Sequence, residues 1–152
     1  MLSHKVLWVE DSAHHELAHL AAAVYLDGRF ELIVATNASQ AEDLLQHQYD
    51  AIVLDIRLPS GENPDWISLY QEKSRESASV KLGLVLLDKL MVKASENSKA
   101  GMSNPRIGVL TVEEFDEIGG QNNRFGIRVW RKKHADMSET ILLDIIDELF
   151  SY

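Results

Sequence analysis

Residues 51 to 59 read Ala51-Ile52-Val53-Leu54-Asp55-Ile56-Arg57-Leu58-Pro59. Four apolar residues run unbroken into an aspartate, and a Pro59-Ser60-Gly61 turn follows. A strand in a parallel sheet is covered on both faces, so it reads as continuously apolar rather than alternating. The stretch is therefore expected to be a buried parallel strand that carries Asp55 at its carboxyl end. Similar short apolar runs lie on either side. Lys5 to Val9 ends in Glu10-Asp11, and Phe30 to Ala35 is a second run. Ile107 to Thr111 is a third, and Ile127 to Trp130 runs into Lys132-Lys133.

Helical patterns separate these runs, which argues for βαβ units. After Ser12, a candidate N-cap, Leu17, Leu20, Ala21, Val24 and Tyr25 recur at helical spacing until Asp27-Gly28. Asn37 or Ser39 opens the next helix, with Ala41, Leu44 and Leu45 inside. Asp65 to Glu76 is another, with Trp66, Ile67, Leu69 and Tyr70 on its apolar side. Val80 to Val92 is apolar nearly all round; its length and the charged tail after it favour a helix over a strand. Such a helix is expected to be buried or in an interface. Ser95 to Asn104 is polar and reads as a loop. Glu113 to Ile118 reads as a short helix stopped by Gly119-Gly120. Asp136 or Ser138 is expected to cap a last helix, with Ile141, Leu142, Ile145, Ile146 and Leu149 inside. The expected fold class is α/β. It is a doubly wound, five-stranded parallel sheet with flanking helices, enlarged by a helical and loop insert between the third and fourth strands.

The 152 residues suit a single domain, residues 1 to 152, with an atypical insert at about 77 to 104. Cysteine is absent, so disulfides, cysteine metal sites and a cysteine nucleophile are excluded. A net charge of −9 argues against non-specific nucleic-acid binding, which phosphate neutralisation drives. Arg128, Arg131, Lys132, Lys133 and His134 make only a locally basic edge. No apolar stretch is long enough for a signal peptide or a membrane span. A soluble, cytoplasmic protein is expected. His15 and His19 have the i, i+4 spacing of zinc ligands on a helix but lack an obvious third ligand, so a polar outer face is the better reading. Gly119-Gly120 lacks the context of a phosphate loop, and Ser60-Gly61 makes no nucleophile elbow.

The strand ends carry the chemistry, because open α/β sheets bind ligands beyond the carboxyl ends of their strands. Glu10, Asp11, Asp55, Thr111 and a lysine of the Lys132-Lys133 pair would converge there. Clustered carboxylates repel one another unless a cation neutralises them. A hard divalent cation such as magnesium prefers carboxylate and water oxygens. Beside such an ion a carboxylate can act as nucleophile toward phosphorus, while a hydroxyl and an ammonium hold phosphate oxygens.

Taken together, the acidic pair after the first strand, the Leu-Asp-Ile-Arg-Leu-Pro segment, the Leu-Thr strand end and the terminal lysine resemble the response-regulator receiver domains of two-component signalling. The resemblance covers residues 5 to 64 and about 105 to 151. It implies the flavodoxin-like receiver architecture and a set of roles. Asp55 matches the phosphorylated aspartate. Glu10 and Asp11 match the acidic pair that binds magnesium with Asp55. Arg57 matches the position that offers a backbone carbonyl to the metal. Thr111 matches the switch hydroxyl and Lys133 the phosphate-contacting lysine. Trp130 stands three before Lys133 and Asp136 three after it, as in the family. His134 replaces the proline that usually follows, which keeps Lys132 as the alternative. Family members cross from the aspartate to the hydroxyl in about half of the 56 positions found here (111 − 55). The excess sits around residues 77 to 104.

The resemblance implies a stand-alone phosphoacceptor, not a turnover enzyme. It would be phosphorylated by a histidine kinase or phosphotransfer protein and read by an output protein, with no nucleic acid or membrane contacted directly. The insert could serve as a homodimer or partner surface. Two rival readings are a phosphorylation-independent adaptor of the same fold and a magnesium-dependent phosphatase or phosphotransferase. Arg57 stands where such enzymes often carry a second aspartate. The chain could also be a fragment of something longer.

Overall fold

A computed structural model describes residues 3–115 and 125–151. The apolar runs become β1 (His4–Val9), β2 (Phe30–Ala35), β3 (Ala51–Leu54), β4 (Arg106–Thr111) and β5 (Ile127–Lys132). They form one sheet in the order β2-β1-β3-β4-β5, and every neighbouring pair is parallel. The chain steps from β1 outward to β2, then returns past β1 to β3. This places the topological switch point between β1 and β3, where doubly wound sheets open a crevice. Glu10 and Asp55 flank that crevice, one at the end of each strand.

Among the described residues, five helices cover the sheet: α1 (Ala18–Asp27), α2 (Ala38–Leu44), α3 (Pro64–Ser74), α4 (Leu82–Lys99) and α5 (Ile141–Leu149). Successive side chains of a strand point to opposite faces. In β1, Val6 and Trp8 pack under α1 and α5 with Leu20, Val24, Leu142 and Ile145. Leu7 and Val9 face the other layer, with Trp66, Leu82, Leu86 and Leu87 of α3 and α4. Burial of both sets is why the strands read as continuous apolar runs. No helix among the described residues is long and apolar enough to cross a membrane.

Three helix starts differ from expectation. Residues 11–17 are turns, and α1 begins at Ala18 with Leu17 as N-cap and no side-chain cap. The cause is local. Ser12 gives its amide to Glu10 Oε2 at 3.2 Å, and its carbonyl accepts the amides of His15 and Leu17. His15 therefore does not share a helix with His19, and the zinc spacing is not realised. Tyr25, expected inside α1, is exposed. The helix at 64–74 starts on Asn63, whose side chain accepts the Asp65 amide, with Ile67 and Tyr70 partly outside. The last helix is capped at Thr140, not Asp136 or Ser138; Ser138 Oγ accepts the Thr140 amide instead. At the α2 start Asn37 is the cap, accepting from the Gln40 amide.

The β3–β4 connection holds two helices. Within the expected insert, α4 runs through to Lys99, so Ser95 to Lys99 is helix rather than loop. Polar composition there marks exposure, not irregular backbone. The end is tied down by Asn104, whose side-chain amide donates to the Ala94 carbonyl and Ser98 Oγ. The inner face of α4 is buried at Leu82, Gly83, Leu86, Leu87 and Leu90, while Met91 and Val92 lie outside. The expected helix over Glu113 to Ile118 and its stop at Gly119-Gly120 fall largely outside the described residues.

Candidate functional site

The sheet register assembles the site. The Glu10 amide donates to Ala35 and the Asp55 amide to Val9, which extends the ladders past the strand ends. The Lys133 amide donates to the Thr111 carbonyl at 2.7 Å, holding β5 beside β4 to the same depth. Asp55, Thr111 and Lys133 come from strands far apart in sequence, yet their side chains meet. Thr111 Oγ1 donates to Asp55 Oδ1 at 2.6 Å. Lys133 Nζ donates to Asp55 Oδ2 at 2.7 Å and lies 2.5 Å from Glu10 Oε1. The Arg57 amide donates to Asp55 Oδ1 at 3.2 Å. Glu10 and Thr111 are fully buried and Asp55 nearly so, while Asp11 is exposed at the rim. Lys132 turns outward onto Glu114, so Lys133 is the lysine that reaches Asp55.

This arrangement carries more negative charge than the protein neutralises. Glu10, Asp11 and Asp55 can each offer a carboxylate oxygen within 4.8 Å of the others. Burial, followed by repulsion from Asp55, pushes the Glu10 carboxyl up to about 7. Burial works against the Lys133 ammonium, but Asp55 and Glu10 outweigh it and hold the amine above its ordinary value. Glu10 Oε1 is buried and receives no well-aligned hydrogen bond, despite the nearby Lys133 charge. Three carboxylates offering oxygen ligands, two of them buried and with Lys133 as the ammonium between those two, fit a hard divalent cation.

One residue of the site escapes the sequence reading. Glu113, taken there as a helix start, is buried with its carboxylate on Arg57 Nε at 2.5 Å and 3.9 Å from Lys81 Nζ. Its carbonyl accepts the Trp130 indole N–H at 3.1 Å. Glu113 thus ties the loop after Asp55, the start of α4 and the β5 aromatic to a point two residues past Thr111. A carboxylate just beyond an apolar strand end is the signal that singled out Glu10 and Asp11, and it applies to Glu113 equally.

No family model matches the chain. It is 31% identical over 119 residues to a Kluyveromyces lactis protein described as an uncharacterized killer plasmid pGKL-2 helicase, a match taking in 67% of this chain. The chain spans only about a fifth of that relative, 19% of its length. Solved structures are more informative. The chemotaxis response regulator CheY4 of Vibrio cholerae superposes with a TM-score of 0.59 at 17% identity, covering 98% of this chain and 100% of that one. The response regulator TrrA of Thermotoga maritima, in complex with Mg(2+)-BeF, gives 0.61 at 17% identity, covering 97% and 99%. A CheY-like receiver domain protein of Methanospirillum hungatei gives 0.62 at 16%, covering 97% and 93%. The chain has the response-regulator receiver fold over nearly its whole length, with an acidic cluster at the strand ends.

Proposed function

We propose that this chain is a phosphoacceptor of the receiver type, working as one unit in which residues 77–104 are an insert. Asp55 takes a phosphoryl group from a histidine kinase or phosphotransfer protein in a magnesium-dependent step, and an output protein reads the result. The observation that carries this reading is the pair of donors already trained on Asp55, Thr111 Oγ1 at 2.6 Å and Lys133 Nζ at 2.7 Å.

Asp55 is the nucleophile, its carboxylate oxygen attacking phosphorus. Glu10, Asp11, Asp55 and the Arg57 backbone carbonyl would hold the magnesium ion. When bound, that ion supplies neutralisation of the carboxylates and of incoming phosphoryl oxygens. Both Asp55 oxygens already accept hydrogen bonds, so the attacking oxygen must give one up. Thr111 and Lys133 then pass from the carboxylate to the new phosphoryl oxygens, where charge has moved. Neither group needs to be recruited from a distance. Thr111 cannot shift without disturbing Glu113, whose amide lies 3.5 Å from its hydroxyl and whose carbonyl holds Trp130. That contact gives the output partner something to read on the β4–β5 side.

The test is a titration of beryllofluoride, a phosphoryl mimic, in the presence of magnesium. Binding should raise Tm with the logarithm of mimic concentration above Kd, corresponding to about 2.7 kcal/mol of added stability at one hundred times Kd. It should also change Trp130 fluorescence. Asp55→Asn should show neither effect. A wild-type protein that ignores the mimic, or a variant that responds equally, would count against the reading.

A further inference from the structure

Five polar side chains are buried among the described residues: Glu10, Asp55, Thr111, Glu113 and Ser39. The first four stand at the strand-end site. Ser39 lies instead in the first turn of α2, and its own helix does not use it, because Asn37 is the cap. Its hydroxyl serves the loop that follows Asp55. Ser39 Oγ donates to the Ser60 carbonyl at 2.5 Å and accepts the Asn63 backbone amide at 3.0 Å, so it closes the turn at Ser60-Gly61. The α2 backbone grips the same turn. The Ala38 and Ser39 amides donate to the Pro59 and Ser60 carbonyls, each at 3.0 Å. These are helix-start donors that have no partner within their own helix. Gly61 fits against this clamp with a φ of 79°. A Cβ there would fall 2.2 Å from Asn37 Oδ1 and 2.8 Å from Ser39 Cβ.

We propose that Ser39 is a positioning residue for the metal-binding carbonyl of Arg57. The inference rests on the phosphoacceptor reading above and adds a residue that acts on the site through another. Only Leu58 and Pro59 separate Arg57 from the latched Ser60. The Leu58 side chain is buried in the core and the Pro59 ring fixes φ, so the lever is short and stiff. On the other side Ile56 is fully buried, and the Arg57 amide donates to Asp55 Oδ1. The Arg57 peptide is thus held from both ends, by the nucleophile before it and by α2 after it. Magnesium demands near-ideal octahedral geometry from its oxygen ligands. A group that orients one ligand at a remove therefore contributes to affinity without touching the ion. Without the Ser39 hydroxyl, the Ser60 carbonyl keeps a single donor from α2 and the Asn63 amide loses its acceptor. The turn can then swing away from α2 and take the Arg57 carbonyl with it.

The test is a calorimetric titration of the full chain with magnesium chloride, paired with thermal unfolding in EDTA. Ser39→Ala, nearly the same size, should raise the magnesium Kd about tenfold, the low end for groups that orient metal ligands. Gly61→Ala drives the turn off α2 from the opposite side and should raise Kd likewise. Asn104→Ala is the control for general damage. It unties the end of α4 from Ala94 and Ser98, far from the Asp55 loop, and should lower Tm with Kd unchanged. A Kd that stays put in both Ser39→Ala and Gly61→Ala, or rises equally in Asn104→Ala, overturns the latch alone. A wild-type chain that binds no magnesium, or an Asp55→Asn variant that binds it equally well, overturns the metal reading and the latch together.

Discussion

Glu10 is the residue whose position costs the fold most in the absence of a cation. Its carboxyl is raised from an ordinary 4.5 to about 7, so between those values the folded chain keeps a proton that the unfolded chain has lost. The Glu10 contribution to metal-free stability is therefore full below about pH 4.5 and is lost as pH rises through 7, about 3 kcal/mol for this group. Chemical denaturation in EDTA from pH 5 to 8 should show that decline in the wild type and lose most of it in Glu10→Gln. The same slope in both proteins, or a wild type that gains stability relative to Glu10→Gln over the range, would contradict the assignment. Magnesium should offset the decline, since it needs the deprotonated carboxylate. Glu10, Asp55 and Thr111 were legible because apolar strands hand polar residues to their carboxyl ends. The lysine was harder. A register irregularity in the β4–β5 pairing near Ile107 and Gly108 adds a residue to β5, so counting alternate positions from Ile127 does not decide between Lys132 and Lys133. The flanking Trp130 and Asp136 pointed to Lys133, the lysine that meets Asp55.

At the scale of elements, strands were read closely and helix starts poorly. β2 matches its apolar run end to end, because burial on both faces leaves a simple signal. Helix starts depend on where side chains find backbone partners, and that is a tertiary matter. The Ser12 amide is taken by Glu10, so α1 waits until Ala18. The α4 helix was legible from its apolar length, but its docking was not. Gly83 sits where a Cβ would fall 2.4 Å from the Asp55 carbonyl oxygen and 2.6 Å from Ile56 Cα. Its amide also donates to the Ile56 carbonyl at 2.8 Å. These are backbone atoms that cannot rotate aside, so α4 approaches the Asp55 loop only because residue 83 has no side chain. Gly83→Ala should lower stability by about 1–3 kcal/mol, the usual cost of overpacking. It should also weaken magnesium binding, because the atoms displaced belong to Asp55 and Ile56. Thermal unfolding with a magnesium titration checks both, and unchanged values would show that α4 does not bear on the site.

At the scale of the whole molecule, alternating apolar runs and helical patterns were enough to fix a parallel, doubly wound sheet. The site follows from that topology, since the switch point between β1 and β3 is where Glu10, Asp11 and Asp55 must meet. What sequence left open is what two helices in one connection do. Packing places α4 on the same face as α2 and α3 and brings Lys81 toward Glu113, so the two-helix connection packs onto the sheet rather than forming a detached lobe. The described residues are then a sheet that gathers charge at its strand ends and two helical layers that cover its faces. The most direct measurement of the central claim is intact-mass analysis of the full chain after incubation with acetyl phosphate and magnesium, followed by mapping of the adduct. The account predicts one base-labile phosphoryl group per chain, on Asp55, absent in EDTA and in Asp55→Asn. No adduct, or one that persists in Asp55→Asn, would contradict it.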